Sequence, residues 1–526
     1  MNILTGEPIF HTTYSGGSTG VCTLAELAQR ADEIVALDEE PLVRLAVVEM
    51  LAVIVVEALQ HTGAIPAELQ ASDALIARRK VWKIPHSSLS SAVDTYIQDI
   101  DTTWFDLFSP NGLGQVEGSA PAKPLDPGKF TSLNPTFGIE NSTTQRATPP
   151  VVAKSIICLR YLGRGGVNTM PVGGKVTYPL AGPLLQTRAA YVEGSTLRDT
   201  ILGIITPELV VDTSLPSWRS PAPDIAGDNS GTLITGPRRA MTEVTRIPYL
   251  EWGEDGTLVA ATTFPGISLT KENIQRYCPT SKMVDRVDSK TKEPKITSPI
   301  PFYGQSNPFP WQGLTAVIEA DGDDSNSAVE SAAAYRSSTG LGGNIRVRSI
   351  NLTHSKQSKI SSITEDVFDV PLFLMRESVP DDATQSIIRS RAKVVSSYVS
   401  RTSSVAFQMC KVVREIEKGN KKEASGRSEE IKLEFLSRVD KLFRAWLSKL
   451  PELPEHGEDD SAMADHVEKW RRTVVRLVRD IMDDYLKDIP AAWWSSREIP
   501  KRRAGLNKYV SVALGIEQKS KDEAGK

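Results

Sequence analysis

The sequence predicts an α+β protein: a large N-terminal part that mixes helices with short strands, followed by an all-α C-terminal four-helix bundle. Three observations carry this. Proline is absent between Pro380 and Pro451, and helical patterns fall at roughly 381–418, 428–450, 461–488 and 497–516. Residues 207–370 instead alternate short strand-like runs with loops; RIPYLEW and TLVAATTF flank Gly253-Glu254-Asp255-Gly256, a hairpin signal. Near the start, Thr23 precedes LAELAQRADEI with Glu26 three residues on, the spacing of a capping box, and Leu42–Gln60 follows as a long apolar helix expected to be buried on most sides.

The remaining elements follow in order. Residues 1–40 also carry short strands, and residues 62–100 are mixed, with a helix around Ser88–Asp99. From Ser109 to Pro150 the chain is rich in Pro, Gly, Ser, Thr and Asn, too irregular for a core element. Val151–Leu162 is an apolar helix pattern running into the nearly uncharged GRGGVNTMPVGGKVTYP, after which YVEGSTLRDTILGII reads as a strand and then an amphipathic helix. Ile345–Leu352 alternates like a half-buried strand. In the third helix of the bundle Trp470, Val474, Leu477, Val478 and Ile481 make one apolar face, with Arg471, Arg472, Arg476 and Arg479 mostly off it. The connections at Gly419–Ser428 and Pro451–Asp460 are polar. The predicted organisation is therefore a globular domain over 1–372, the bundle over 373–516 and a disordered tail over 517–526.

The 526 residues suffice for two to four domains and a sizeable core. A hydrophobic share of 40% with 24% charged residues is ordinary globular composition, and a net charge of −4 argues against a generally basic nucleic-acid binder. The charge is uneven: Arg376–Lys526 carries +5 and the rest −9, so any nucleic-acid contact has to be made by local patches. Four dispersed cysteines, Cys22, Cys158, Cys278 and Cys410, form no CxxC pair, which fits a reducing compartment and gives no zinc site. MNILTGEPIF has no signal-peptide character, and the apolar run Leu45–Val56, interrupted by Glu49, is too short to span a bilayer. A cytoplasmic protein without membrane contact is expected.

No catalytic constellation stands out. None of the six histidines pairs at i, i+4 or sits in HExxH, and no GxSxG occurs. His456 and His466 lie among acidic residues in or beside a linker, where a solvated surface is the simpler reading. Gly253–Asp255 offers carboxylates at a hairpin tip, where solvation is the simpler reading, and Asp321-Gly322-Asp323-Asp324 resembles the start of a calcium loop with an imperfect glutamate closure, for which a polar helix N-terminus is the better reading. The expectation is no enzyme, no metal and no cofactor.

The glycine-rich stretch has neither GxGxxG nor GxxxxGK[ST] spacing, so it is no nucleotide cradle. It offers bare backbone: Gly163, Gly165, Gly166, Gly173 and Gly174 let another surface approach the main chain closely, while a long connector is the plainer reading. The segments AKSIICLRYLGRGGV, GGKVTYP and YVEGSTLRDTILGII resemble the glycine-loop region of the large subunit of the type I-E CRISPR Cascade complex, the CasA family in its actinobacterial-looking form. EEPLVRLAVVEMLAVIVVEAL, WFDLFSPNGLGQVEG, NPFPWQGLTAVIEA and SKQSKISSITEDVFDVPLFL resemble further family segments in the same order, so the likeness spans nearly the whole chain. No single motif is specific; the ordered set is.

The resemblance implies a mixed α/β globule for the whole N-terminal region, where periodicity alone shows only that it is not all-helical. It implies a non-enzymatic subunit that inspects double-stranded DNA from the minor groove for the protospacer-adjacent motif, helps open the duplex and start the R-loop, and recruits a helicase–nuclease. A glycine loop at Gly165 and Gly166, with Gly173 and Gly174 as the alternative, would put amides into the groove's degenerate acceptor pattern without a side-chain clash. Lys271, at the end of FPGISLTK, matches a lysine that projects from a hairpin into the groove, with Lys282 as the fallback. Tyr335 and Arg336, in AYRSSTGLGGN, match the zone of a strand-parting wedge, although the glutamine and asparagine of some relatives are not in place. Asn134 and Phe137, in TSLNPTFGIEN, match a loop touching the 5′ end of the crRNA and the other Cascade subunits. Arg471, Arg472, Arg476 and Arg479, with Lys501-Arg502-Arg503, offer phosphate contacts for the displaced strand, or else a solvated face interleaved with acids. The alternative from another class is a structural adaptor that binds only protein partners. A hydrolase would need a nucleophile–base pair that is not visible.

Overall fold

The computed structural model describes residues 1–109, 148–162, 183–187, 189–219, 234–243, 246–256, 258–265, 269–281, 284–287, 294–297, 328–340, 342–354, 360–374, 382–417, 421–454 and 460–516. They form two compact units, one drawn from Met1–Ser306 and Gly322–Val367 and the other, in its described part, from Phe368–Lys526. The fold is the mixed α/β class read from the sequence: small antiparallel sheets among helices, and then a helical C-terminal region.

The first unit opens with a three-stranded antiparallel sheet of β1 (Phe10–Tyr14), β2 (Thr19–Cys22) and β3 (Ile34–Leu37) in the order β2-β1-β3. Between β2 and β3 lies α1 (Leu24–Gln29), started by the expected capping box: the Glu26 amide donates to the Thr23 hydroxyl at 3.2 Å and the Thr23 amide to the Glu26 carboxylate at 2.7 Å. Next comes α2 (Pro41–His61), with proline in its first turn, where the missing N–H costs nothing. Every residue from Leu42 to Leu59 except Arg44 is buried, as expected of a helix that is apolar all round. At about 1.5–3 kcal/mol for each fully buried Val, Leu or Ile, this helix is the largest contributor to the core. Arg44 leaves the core through a forked pair with Glu365 at 2.8 and 3.0 Å.

Helix α3 (Ala74–Lys83) packs against the later helix Pro207–Val211, and α4 (His86–Asp99) packs on α2, burying Leu89, Ala92, Val93, Tyr96 and Ile97, the stripe of a 3.6-residue period. The chain continues through α5 (Pro149–Leu162), β4 (Ala189–Glu193), α6 (Leu197–Ile204), α7 (Pro207–Val211) and α8 (Pro237–Thr242). The predicted hairpin is β5 (Arg246–Trp252) with β6 (Leu258–Pro265), and Gly256 takes the left-handed φ of +72° that its turn needs. Helix α9 (Lys271–Tyr277), hairpin β7 (Val284–Val287) with β8 (Pro294–Thr297), helix α10 (Ala328–Ser338) and strands β9 (Asn344–His354) and β10 (Ile360–Pro371) complete the order. Strands β4, β9 and β10 form a second sheet in the order β10-β9-β4, with β4 antiparallel to β9.

The second unit holds α11 (Asp382–Ile416), α12 (Lys421–Leu447), α13 (Ser461–Lys487) and α14 (Ile499–Ala513). The linker read at Gly419–Ser428 is shorter than expected: α12 starts at Lys421, because Lys421, Lys422, Glu423, Ala424 and Arg427 favour helix strongly enough to carry Gly426. The apolar face of α13 is as predicted and extends from Met463 to Leu486. At its centre Trp470, 2% exposed, packs 5.6 Å from Phe443 and 5.5 Å from Trp446. His466 is not a solvated linker residue: its ring stacks on Trp446 at 5.2 Å and its Nε2 lies 2.8 Å from the Trp446 carbonyl.

Burial holds the His466 imidazole below its ordinary pKa, with Lys469 and Arg391 acting in the same direction. The unfolded state therefore takes up a proton before the folded state does, and stability falls as pH drops through the unfolded value of about 6.5. Urea unfolding at pH 5.5 and 7.5 should show this loss, and His466→Gln should reduce it; an equal pH response in the variant would rule His466 out as its source.

Candidate nucleic-acid interface

Helix α5 delivers the chain to the glycine-rich stretch, and two polar bonds fix it on α2 and the first sheet. Lys154, buried midway along α5, donates to Glu39 at 2.7 Å, and Glu39 also accepts the His11 amide at 2.7 Å. In the last turn the Tyr161 hydroxyl donates to Glu49, which is 0% exposed. Glu49 takes a second hydroxyl from Thr280, just beyond α9. Thr280 also gives its carbonyl to the Ala190 amide of β4 at 2.7 Å. One buried carboxylate thus joins the helix leading into the glycines to the segment that closes the lysine-bearing helix. A lone ionised carboxylate would be costly in this core; hydroxyl donors make it tolerable and set its geometry.

Lys271 is the first residue of α9, not part of a hairpin. Thr270 caps that helix in a reciprocal box with Asn273 at 3.1 and 3.3 Å. The side chain of Lys271 is exposed and has no hydrogen bond or ion pair among the described residues. A cation at a helix N-terminus opposes the helix dipole, by about 0.3–1 kcal/mol, so helix stability does not account for it.

Tyr335 is corrected by its surroundings. It lies in the core, 3% exposed, with its ring edge-on to Trp82 at 5.7 Å and its hydroxyl donating to Asp199 at 2.8 Å. Burial and the Asp199 carboxylate push its phenol pKa up. The cause is the close approach of α10 to α6: a Cβ on Gly203 would stand 2.9 Å from the Ala332 Cβ, which leaves no outward face for Tyr335. Arg336, on the next position, is half-buried, and its Nε finds no acceptor among the described residues. The turn expected after it is present, with Gly340 and Gly343 at positive φ.

On α13 the four arginines differ. Arg472, 75% exposed in its side chain, and Arg471 share Glu468 at 3.1 and 3.5 Å, and Arg471 also donates Nε to the Tyr398 hydroxyl at 2.7 Å. Arg476 and Arg479 are exposed and have no carboxylate partner among the described residues. The neighbouring basic run is spoken for: Lys501 pairs with Glu498 at 3.4 Å, Arg502 with Glu415 and Arg503 with Asp483. Gly165, Gly166, Gly173, Gly174, Lys282, Asn134 and Phe137 lie outside the described residues. Among the described residues no group of three or more His, Cys, Asp or Glu side chains is arranged to hold a metal ion, and no helix is long and apolar enough to cross a membrane. All four cysteines are buried and none is in a disulfide.

The profile of the family "CRISPR-associated protein Cse1" matches residues 4–481. The chain belongs to the Cse1 family. Its fold is similar to that of Cse1 from Acidimicrobium ferrooxidans, at 18% identity and a TM-score of 0.73, covering 98% of this chain and 99% of that one. It is also similar to Thermus thermophilus CasA (Cse1), at 17% identity and a TM-score of 0.68, with 98% and 99% covered. A chain of a CRISPR RNA-guided surveillance complex matches at 14% identity and a TM-score of 0.62, with 96% and 99% covered. No curated protein matches the chain. Cse1 membership agrees with the CasA resemblance read from the ordered segments, since the two names label one structure. The links of Glu49 to Tyr161 and Thr280 were not legible in the sequence, whose only signal was a glutamate inside an apolar run.

Proposed function

We propose that this chain is the large subunit of a type I-E CRISPR RNA-guided surveillance complex, that it reads the protospacer-adjacent motif of double-stranded DNA from the minor groove, and that it does so without catalysis. The observation that carries the reading is the Cse1 family match over 4–481. The neighbour described as a CRISPR RNA-guided surveillance complex supports the other subunits as partners. In this reading Gly165 and Gly166, or Gly173 and Gly174, bring bare amides to the groove edge, and Lys271 reaches its acceptors. Arg336 stands at the point of strand separation in place of the buried Tyr335. Asn134 and Phe137 meet the 5′ end of the crRNA. Arg476 and Arg479, with Arg471 and Arg472 beside them, hold the displaced strand, and the complex recruits a helicase–nuclease once the R-loop has formed. Protein then reads a short motif and base pairing reads the rest.

The test compares crRNA-loaded complexes with and without this chain on duplexes that carry or lack the flanking motif. The reading predicts a preference for the motif only when the chain is present; equal binding to both duplexes would favour an adaptor that contacts protein alone. In the same assay Lys271→Ala should weaken duplex binding and, if the contact is to phosphate, lower the salt slope by about one unit. Unchanged affinity and salt response would remove Lys271 from the interface.

A further inference from the structure

A cavity of about 780 Å³ opens among α11, α13 and the C-terminal end of α14. Four arginines line it, and they are not equivalent. Arg391 is saturated: it grips Asp460 at 2.8 and 2.7 Å and donates to the carbonyls of Pro451 at 2.6 Å and Glu452 at 3.0 Å. Arg401 lies over the Tyr398 ring at 5.3 Å and has no carboxylate partner among the described residues. Arg471 lies over the same ring at 5.7 Å, and its one acid among the described residues, Glu468 at 3.5 Å, is shared with Arg472.

Arg401 and Arg471 converge on one point. After α14 the chain closes in a Schellman motif: the Gly515 amide donates to Val512 at 3.0 Å and the Ile516 amide to Ser511 at 2.8 Å, with Gly515 at φ +73°. The place where a Gly515 Cβ would stand lies 3.2 Å from Arg401 Nη1 and 3.3 Å from Arg471 Nη2. Two guanidinium groups thus stand against the bare Cα of Gly515, and any side chain there would have to displace them. The end of α14 offers about half a negative charge, Glu468 is divided between two arginines, and Asp465 is the remaining acid on the wall. The three arginines outside the Arg391–Asp460 pair therefore exceed the two acids and the helix end by about half a charge, and Arg401 Nη1 and Arg471 Nη2 meet at the same point. Guanidinium forks match the oxygens of a tetrahedral dianion.

We infer that this cavity is a phosphate-binding site, with Arg401 and Arg471 holding the anion over Gly515. The phosphate is either a backbone phosphodiester of single-stranded nucleic acid or a free polyphosphate. The site shares Arg471 with the displaced-strand contact proposed above but not with the minor-groove reading; its test uses the free full-length chain, so failure here removes Arg471 from that contact and leaves the minor-groove reading standing. Calorimetric titration with pyrophosphate and with a short oligothymidylate covers both sources. Wild type should bind pyrophosphate, Arg401→Gln should weaken it by about tenfold or more, and Lys441→Gln, on the exposed face of α12, should not change it. Circular dichroism confirms that each variant is folded. A parallel loss of oligothymidylate affinity in Arg401→Gln assigns the phosphodiester; a loss of pyrophosphate affinity alone assigns the free polyphosphate. No pyrophosphate binding by wild type, or equal binding by Arg401→Gln, overturns the site.

Discussion

Glu57→Ala should destabilise the protein by about 3–5 kcal/mol, the range for removing one partner of a buried ion pair. Glu57 is 3% exposed, near the end of α2. It pairs with Arg238 of α8, accepts from Arg219 at 2.8 Å, and takes the Tyr96 hydroxyl at 3.3 Å. Tyr96 in turn accepts the Trp218 indole N–H at 2.9 Å. Arg219 is half-exposed and can turn to water. Arg238 is 4% exposed and cannot, so the alanine strands a guanidinium in the core. Replacing both Glu57 and Arg238 by methionine should recover most of the loss, since the stranded charge is then gone. Urea unfolding followed by circular dichroism checks both; a loss under 1 kcal/mol for Glu57→Ala would show that Arg238 finds water or another acceptor.

The sequence revealed elements better than partners. The bundle helices were legible because α13 repeats its apolar residues from Met463 to Leu486 at helical spacing, a local signal. Helix α2 was legible as an unbroken apolar run, and the α1 cap as Thr23 with Glu26. The carboxylates inside α2 were not, because their roles lie far along the chain: Tyr161 is 112 residues from Glu49, Thr280 is 231, and Arg238 is 181 residues from Glu57. The turn after α10 was legible from its glycines, but the direction of Tyr335 is set by Trp82 and by the tight α6–α10 contact at Gly203, which no spacing encodes. Of the four arginines on α13, sequence gave the face but not which of them already share Glu468.

The second large effect concerns recognition. If main chain at Gly165 and Gly166 enters the minor groove, a branched side chain there collides with the groove wall and withdraws the amides from the base edges. Each good contact of that kind discriminates by about 1–3 kcal/mol, so losing one costs about tenfold or more. The fold should survive, because α5 is held through Tyr161 and Lys154 on the buried Glu49 and Glu39. The decisive measurement is the ratio of affinities of the assembled, crRNA-loaded complex for duplexes with and without the flanking motif, taken with wild-type chain and with Gly165→Val/Gly166→Val. The account predicts a ratio well above one for wild type that collapses toward one in the double variant, with subunit assembly intact. An undiminished ratio in the double variant would contradict it.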